Sequence, residues 1–306
     1  DRAESGESNR LLFGPGITLS DLTLIPGGPG QIGTFIRAIA VGFNGDNIEL
    51  PNSDDVSAGL RSISFADGLT LDLLDYYFAS LVPADQNLFA GPGNETLIGG
   101  AGNDTLHGGA GSSVLIGGGG NNTLIGGTGQ TTFYSQSAAN NLVFFGSGSN
   151  VLVIPGGSSS NTVHALGAPA SNTVVFGGGY GSFNPNLGFG SLLIRYGSEG
   201  GELHIEGFDP NDAYANPGIG TFQFTDRTLT YQQLIDLGFD ISGNADANVL
   251  TGSSATDRIK GLGGNDTLVS GLGADVLEGG QGDDLLSGGM GNDTYVFNAG
   301  NGIDTI

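Results

Sequence analysis

Residues Gly279 to Val296 read GGQGDDLLS followed by GGMGNDTYV, and this stretch decides the fold. Each nine-residue unit carries glycines at its first, second and fourth positions, an aspartate at the sixth (Asp284, Asp293) and a large apolar residue at the eighth (Leu286, Tyr295). Glycine supplies the positive φ and the close backbone approach of a turn. The remainder, such as Thr294 to Val296, is too short to be anything but a strand with one inward side chain. Outward from this stretch the same beat runs from Ser242 to Ile306, with Asp257, Asp266, Asp275, Asp284 and Asp293 in one column and Ile259, Leu268, Leu277, Leu286 and Tyr295 in another. Two columns with a common period predict a coil of short strands.

The unit resembles GGxGxDxUx, the nonapeptide of the RTX (haemolysin-type) calcium-binding repeat family, in which U is a large apolar residue. The resemblance implies an all-β fold: parallel β-roll segments of a right-handed β-solenoid, two units per turn, with calcium between turns in the glycine-rich loops. Units two apart then stack. Asp257 pairs with Asp275, Asp266 with Asp284 and Asp275 with Asp293, while Asn248 faces Asp266 as a neutral, weaker start. Calcium takes about 6 to 8 oxygen ligands, and loop carbonyls such as those of Gly279 and Gly288 are expected to complete the set.

Charge makes the metal a folding switch. Carboxylates one strand spacing apart, about 4.8 Å, repel by roughly 3 to 4 kcal/mol per adjacent pair at an effective dielectric of about 20. At calcium about ten times the dissociation constant each site returns roughly 1.4 kcal/mol, so four sites supply about 5 to 6, comparable with the stability of a small domain. The distal array is therefore expected to be unfolded without calcium and to wind when calcium is added.

An earlier array keeps the glycine beat in GGAGNDTLH, GGAGSSVLI, GGGGNNTLI and GGTGQTTFY but loses its acids. The sixth position runs Glu95, Asp104, Ser113, Asn122, Thr131, Asn141, Asn150, Asn161 and Asn172, while the inward column persists from Leu97 and Leu106 to Val174. Pairing Glu95 with Ser113 and Asp104 with Asn122 is expected to give at best two weak calcium sites, and none beyond Thr131. Stacked asparagine and serine side chains can hydrogen-bond along the coil instead. This half should fold without metal.

A non-repeat module precedes each array. AVGFNGDNIELPN and SISFADGLTLDLLDYYFASL in the first match LLIRYGSEGGELHIEGF and TFQFTDRTLTYQQLIDLGFDI in the second, each with strands, a Phe-x-Asp turn (Phe65 to Asp67, Phe224 to Asp226) and one short amphipathic helix. In the second, Thr230 and Gln233 fit a capping box and Gly238 a helix stop. The pattern resembles the haemolysin-type calcium-binding related domain found between RTX arrays. The expected division is residues 1–86 (module), 87–182 (largely calcium-free roll), 183–241 (second module) and 242–306 (calcium-binding roll).

The composition is that of an acidic scaffold: 59 glycines in 306 residues, no cysteine and a formal net charge of -23. Glycine without a strict every-third pattern excludes collagen, and interspersed Leu, Val, Ile and Phe argue against plain disorder. Lys and Arg total 8, so nucleic acid is not an expected partner. No apolar run reaches the length of a membrane span. The opening Asp1-Arg2-Ala3-Glu4-Ser5 is not a signal peptide and the sole methionine is Met290, which reads as a fragment or processed piece. The final NAGNGIDTI breaks off within a repeat-like strand, so the uncapped solenoid end is expected either to continue or to pair with a neighbour by self-association.

No catalytic motif is present: no HExxH, no GxSxG, no P-loop and no cysteine nucleophile. His107, His164 and His204 lack partners at ligand spacing, Asp67 and Asp226 read as turn residues, and Tyr76 and Tyr77 as helix packing. Asp209-Pro210 is the bond type that some RTX-related modules cleave themselves, yet within EGFDPND it reads equally as a turn. The outward Thr123, Ile125, Thr132 and Tyr134 form no regular ligand-binding array. The expected function is a calcium-binding structural segment of a large secreted or cell-surface bacterial protein, an adhesin, surface-layer or fibre component exported by type I secretion. The alternative is the C-terminal portion of a secreted RTX enzyme or toxin.

Overall fold

The computed structural model describes residues 9–14, 17, 22–26, 36–41, 46–49, 60–66, 69–72, 82–135, 140–154, 159–165, 171–179, 184–188, 191–197 and 200–306. They form an all-β chain organised as a parallel β-solenoid of about 10 turns. The helical elements among them are Tyr231–Ile235 and the 3-10 turn Pro210–Asp212.

The proximal coil has two sheets. One contains Glu95–Ile98, Ser113–Ile116, Thr131–Tyr134, Asn150–Ile154 and Asn172–Phe176; the other contains Asn87–Phe89, Thr105–His107, Thr123–Ile125, Leu142–Phe144 and Ser160–His164. Each strand pairs in parallel with the strand two units on. The register stacks Leu97, Leu115, Phe133, Leu152 and Val174 in one column and Leu88, Leu106, Leu124, Val143 and Val163 in the other. From Leu106 to Val174 every member is fully buried, each contributing about 1.5 to 3 kcal/mol of apolar transfer. The looser sequence spacing beyond Thr131 leaves the strand register intact.

The second module continues this coil. Gly201–Glu206 pairs in parallel with Ser160–His164 and carries the antiparallel hairpin partner Ser191–Tyr196, while Ile219–Gln223 pairs in parallel with Asn172–Phe176. The helix Tyr231–Ile235 begins at the expected capping box: Gln233 N–H donates to Thr230 Oγ1 at 3.1 Å and Thr230 N–H to Gln233 Oε1 at 2.9 Å. Gly238 follows at φ +74°. Tyr231, Leu234, Ile235, Phe239 and Ala255 belong to the same buried cluster as Leu106, so one core runs from the proximal coil into the start of the distal one.

The first module also packs on the coil. Asn9–Leu12, Leu60–Ser64 and Thr70–Asp72 form one small sheet, and Leu22–Pro26, Ile36–Val41 and Asp46–Glu49 another. Phe13, Ile63, Phe65, Leu69 and Leu71 lie on the outer face of the first proximal sheet, over Ile116, Tyr134 and Val153. The face that Thr132 and Tyr134 present outward is thus covered. The helix expected in this module, with Tyr76 and Tyr77, and Asp67 lie outside the described residues.

The distal coil pairs Phe239–Ser242, Asp257–Gly263, Val276–Gln281 and Thr294–Val296 in one sheet and Val249–Thr251, Thr267–Val269 and Leu285–Ser287 in the other. Its buried core is Ile259, Leu268, Leu277 and Leu286, flanked by Ile241, Leu250 and Tyr295. With so thin a core, the loops must carry much of the stability.

Candidate metal centre

The solenoid register brings the sixth-position residues together two units apart, along the two edges of the distal coil. Asp257, Asp266, Asp275 and Asp284 are almost fully buried, and Asp293 is half-buried. Asp266, Asp275, Asp284 and Asp293 each accept the main-chain N–H of the sixth-position residue one turn earlier. Asn248 donates to Asp266 Oδ1 at 2.7 Å, Asp257 to Asp275 at 2.8 Å, Asp266 to Asp284 at 2.8 Å and Asp275 to Asp293 at 3.1 Å. A backbone donor therefore stands between successive charges, a contact that a picture of bare stacked carboxylates leaves out.

The ladder gains a member that counting by nines passes over. Asp304 lies eleven residues beyond Asp293, and its Oδ1 accepts the N–H of Asp284 at 3.0 Å. Its signal was the run Gly300-Asn301-Gly302 ahead of it, the turn spacing of Gly289-Met290-Gly291 before Asp293, displaced by two residues along the chain.

The second oxygen of these carboxylates is the chemically informative one. Asp266 Oδ2, Asp275 Oδ2 and Asp284 Oδ2 are buried and accept no hydrogen bond. An ionised oxygen in that condition costs several kcal/mol unless a cation meets it. The surrounding walls are glycine: a Cβ at Gly261 would stand 2.2 Å from Asp266 Oδ2 and 2.3 Å from the Gly279 carbonyl oxygen, and one at Gly279 would stand 2.1 Å from Asp284 Oδ2. The Gly288 carbonyl accepts the Ser270 hydroxyl at 2.7 Å. Among the described residues no three Asp, Glu, His or Cys side chains converge on one point, so an ion here would draw its remaining oxygens from loop carbonyls, as calcium does readily.

Burial pushes the Asp257 carboxyl up to about 6, and the Asp275 charge adds to the shift. Burial also raises Asp275 and Asp284 above the ordinary carboxylate value.

The proximal coil fills the same positions differently. Asp104 accepts Gln86 N–H at Oδ1 (2.8 Å) and Gly100 N–H at Oδ2 (2.6 Å), and Glu95 accepts Gly91 N–H. Further along, amides form ladders. Asn122 Nδ2 donates to Asn141 Oδ1 at 3.1 Å and Asn141 Nδ2 to Asn161 Oδ1 at 3.0 Å; on the other edge Asn150 Nδ2 donates to Asn172 Oδ1 at 3.0 Å. Donor and acceptor on one side chain let asparagine stack without charge.

The remaining singled-out residues stay apart from these edges. His164 Nδ1 lies 2.7 Å from Glu206, and His107 stacks on Phe89. Asp209 caps the turn at Pro210, accepting Asn211 N–H at 2.9 Å. Asp226 lies 3.7 Å from Arg227.

Comparison with known proteins agrees with this geometry. The RTX calcium-binding nonapeptide repeat matches in 4 copies, at residues 89–124, 98–133, 242–277 and 269–306. RTX calcium-binding nonapeptide repeats therefore occur in both coils, at residues 89–133 of the proximal one and 242–306 of the distal one. Among solved structures, the chain is similar to the crystal structure of extracellular lipase LipA from Serratia marcescens, at 18% identity over 62% of this chain and 31% of that chain, with a TM-score of 0.17. The chain thus spans under a third of that lipase. No curated protein matches. Among the described residues no helix is long and apolar enough to cross a membrane.

Proposed function

We propose that this chain is a calcium-binding structural segment of a large secreted or cell-surface RTX protein, and that its distal coil winds when calcium is supplied after export. The observation that carries the reading is the set of buried, donor-free oxygens on Asp266, Asp275 and Asp284, in a column otherwise satisfied by main-chain N–H groups. Asp266, Asp275, Asp284 and Asp293 are the proposed ligands, with loop carbonyls, including that of Gly279, completing the shell. Calcium would supply only electrostatics here: it neutralises stacked carboxylates and ties adjacent turns.

The repeats are structural elements, and we assign the chain no catalysis of its own. The adhesin or fibre role is preferred to the accessory part of an enzyme because the chain duplicates a module-and-roll unit and holds no catalytic constellation in its sequence. Calorimetric titration of the full chain with calcium, followed by circular dichroism in calcium and in chelator, tests the reading. Saturable binding with a gain of β signal supports it; absence of binding at millimolar calcium overturns it.

A further inference from the structure

The loops of the distal coil fall into two backbone classes, and the classes do not follow the aspartates. In the later loops the second and fourth positions take positive φ: Leu262 (78°) and Gly264 (95°), Gly271 (108°) and Gly273 (127°), Gly280 (106°) and Gly282 (132°), Gly289 (83°) and Gly291 (136°), Gly300 (91°) and Gly302 (113°). These loops are open, and the donor-free Oδ2 atoms of Asp266, Asp275 and Asp284 belong to them.

From 243 to 257 no residue has a positive φ. Instead, Asn244 N–H donates to Asn248 Oδ1 at 2.7 Å, and Asp246 N–H donates to Asn244 Oδ1 at 2.7 Å. The next loop repeats the arrangement with a different residue type: Ser253 N–H donates to Asp257 Oδ2 at 2.6 Å, and Ala255 N–H to Ser253 Oγ at 3.0 Å. The Ser253 hydroxyl adds contacts to Asp257 Oδ1 at 3.2 Å and Oδ2 at 3.1 Å. In both loops the second-position residue closes the turn with its own side chain and points its N–H at the sixth-position oxygen. The positive ends of those donors face Asp257 from the side where an open loop leaves its carboxylate bare.

The proximal coil shows what an amide does at the sixth position: Asn150 Nδ2 donates to Gly146 O at 3.0 Å and Gly148 O at 2.7 Å in a loop without positive φ, and Asn122 does the same in an open one. The loop of Asn122 is open, with Gly118 at φ +86° and Gly120 at +73°, and its carbonyls face the sixth-position side chain: Asn122 Nδ2 donates to Gly119 O at 3.0 Å and Gly120 O at 3.4 Å. An amide can bond those oxygens. A carboxylate in the same backbone has no proton to give and faces them as one more acceptor, so only a cation reconciles the two.

The closed turn is also fastened to the second module. Ser254 N–H donates to Pro210 O at 2.7 Å, Ser254 Oγ accepts Ala213 N–H at 2.8 Å, Arg258 Nη1 reaches Leu237 O at 3.1 Å, and Ala255 sits in the proximal core cluster.

We propose that residues 243–257 form a metal-free seed, closed by Asn244 and Ser253, and that calcium is held only in the three gaps between open loops, Asp266 with Asp284, Asp275 with Asp293, and Asp284 with Asp304. This rests on the calcium-binding reading above. Asp257 and Asn248 are then structural, and Asp304 is a ligand. Since each turn of a solenoid is stabilised by its neighbour, winding starts at the seed and advances toward the C-terminus as ions arrive.

The test is calcium stoichiometry by calorimetry on the full chain and its Asp257→Asn, Asp275→Asn and Asp304→Asn variants. Three ions are expected for the parent and for Asp257→Asn, and one fewer for each of the other two. Loss of an ion from Asp257→Asn equal to the loss from Asp275→Asn overturns the seed, whereas a parent that binds no calcium overturns the calcium reading itself. Hydrogen exchange of the unaltered chain in chelator is the second measurement. The amides of Ser253 and Ala255 should exchange at least about tenfold more slowly than those of Thr267 and Thr294, and equal rates would also refute the seed.

Discussion

Asp266 N–H donates to Asp284 Oδ1 across one turn of the distal coil, and Asp284 Oδ2 beside it is buried with no donor at all. One oxygen of the carboxylate belongs to the backbone ladder and the other is left for a cation. Stability and metal dependence thus reside in the same side chain.

Asp284→Asn separates them. Its amide should bond the loop carbonyls as Asn122 does, so the variant should bind two fewer calcium ions, while relief of a buried unsatisfied charge stabilises the coil in chelator by about 1 to 3 kcal/mol. Calorimetry with calcium and the gain of β signal in chelator read the two effects; an unchanged ion count would contradict the ligand assignment.

Acid should act in opposite directions with and without metal. Between the ordinary carboxylate value of 3.8 and about 6, folded Asp257 keeps a proton that the unfolded chain has lost, so this contribution is present at low pH and is lost as pH rises through about 6. Asp275 and Asp284 shift in the same direction. In chelator the folded fraction of the distal coil, read by its β circular-dichroism signal, should rise as pH falls from about 7 to about 5; in limiting calcium it should fall, because protons compete with the ion. A flat profile in chelator would count against the burial of these carboxyls.

Asn141→Ala breaks the proximal amide ladder by removing two side-chain hydrogen bonds, the one Asn141 Oδ1 accepts from Asn122 Nδ2 and the one its Nδ2 donates to Asn161 Oδ1. A loss of about 1 to 3 kcal/mol is expected, with no change in calcium binding. Asn141→Asp should lose more, since its oxygens would meet Asn161 Oδ1. Denaturant melts in chelator measure both.

Leu262 is the one non-glycine residue with positive φ among the described residues, and its side chain is 53% exposed. Leu262→Gly should therefore stabilise the calcium-loaded coil by about 1 kcal/mol, the left-handed penalty outweighing the little burial lost. The calcium concentration at half-folding should fall correspondingly; a rise would show that the Leu262 side chain matters more than its backbone.

Chelator should divide the chain. Limited proteolysis without calcium is expected to cut within residues 261–306 first and to spare the proximal coil, whose turns are held by Asn122, Asn141, Asn150, Asn161 and Asn172.

Much of this was legible in the residues themselves. A period of nine with an apolar residue in fixed phase is enough to stack Ile259, Leu268, Leu277 and Leu286, because a coil buries whatever recurs at its own period. Replacement of acids by amides likewise told in advance where amide ladders would form, since asparagine carries both donor and acceptor. Asp304 escaped because two added residues break the count while the loop that holds it keeps its shape.

What remained for the folded chain to decide was which loops are open and what covers each face. Whether Ser253 N–H meets Asp257, or Leu262 takes a positive φ, depends on backbone torsions set by neighbours a full turn distant and by the module holding Ser254. The covering of Tyr134 by Phe13 and Ile63 joins segments far apart in the chain. Periodicity reports only what repeats along the chain; these contacts are made once, in space, between parts that do not repeat.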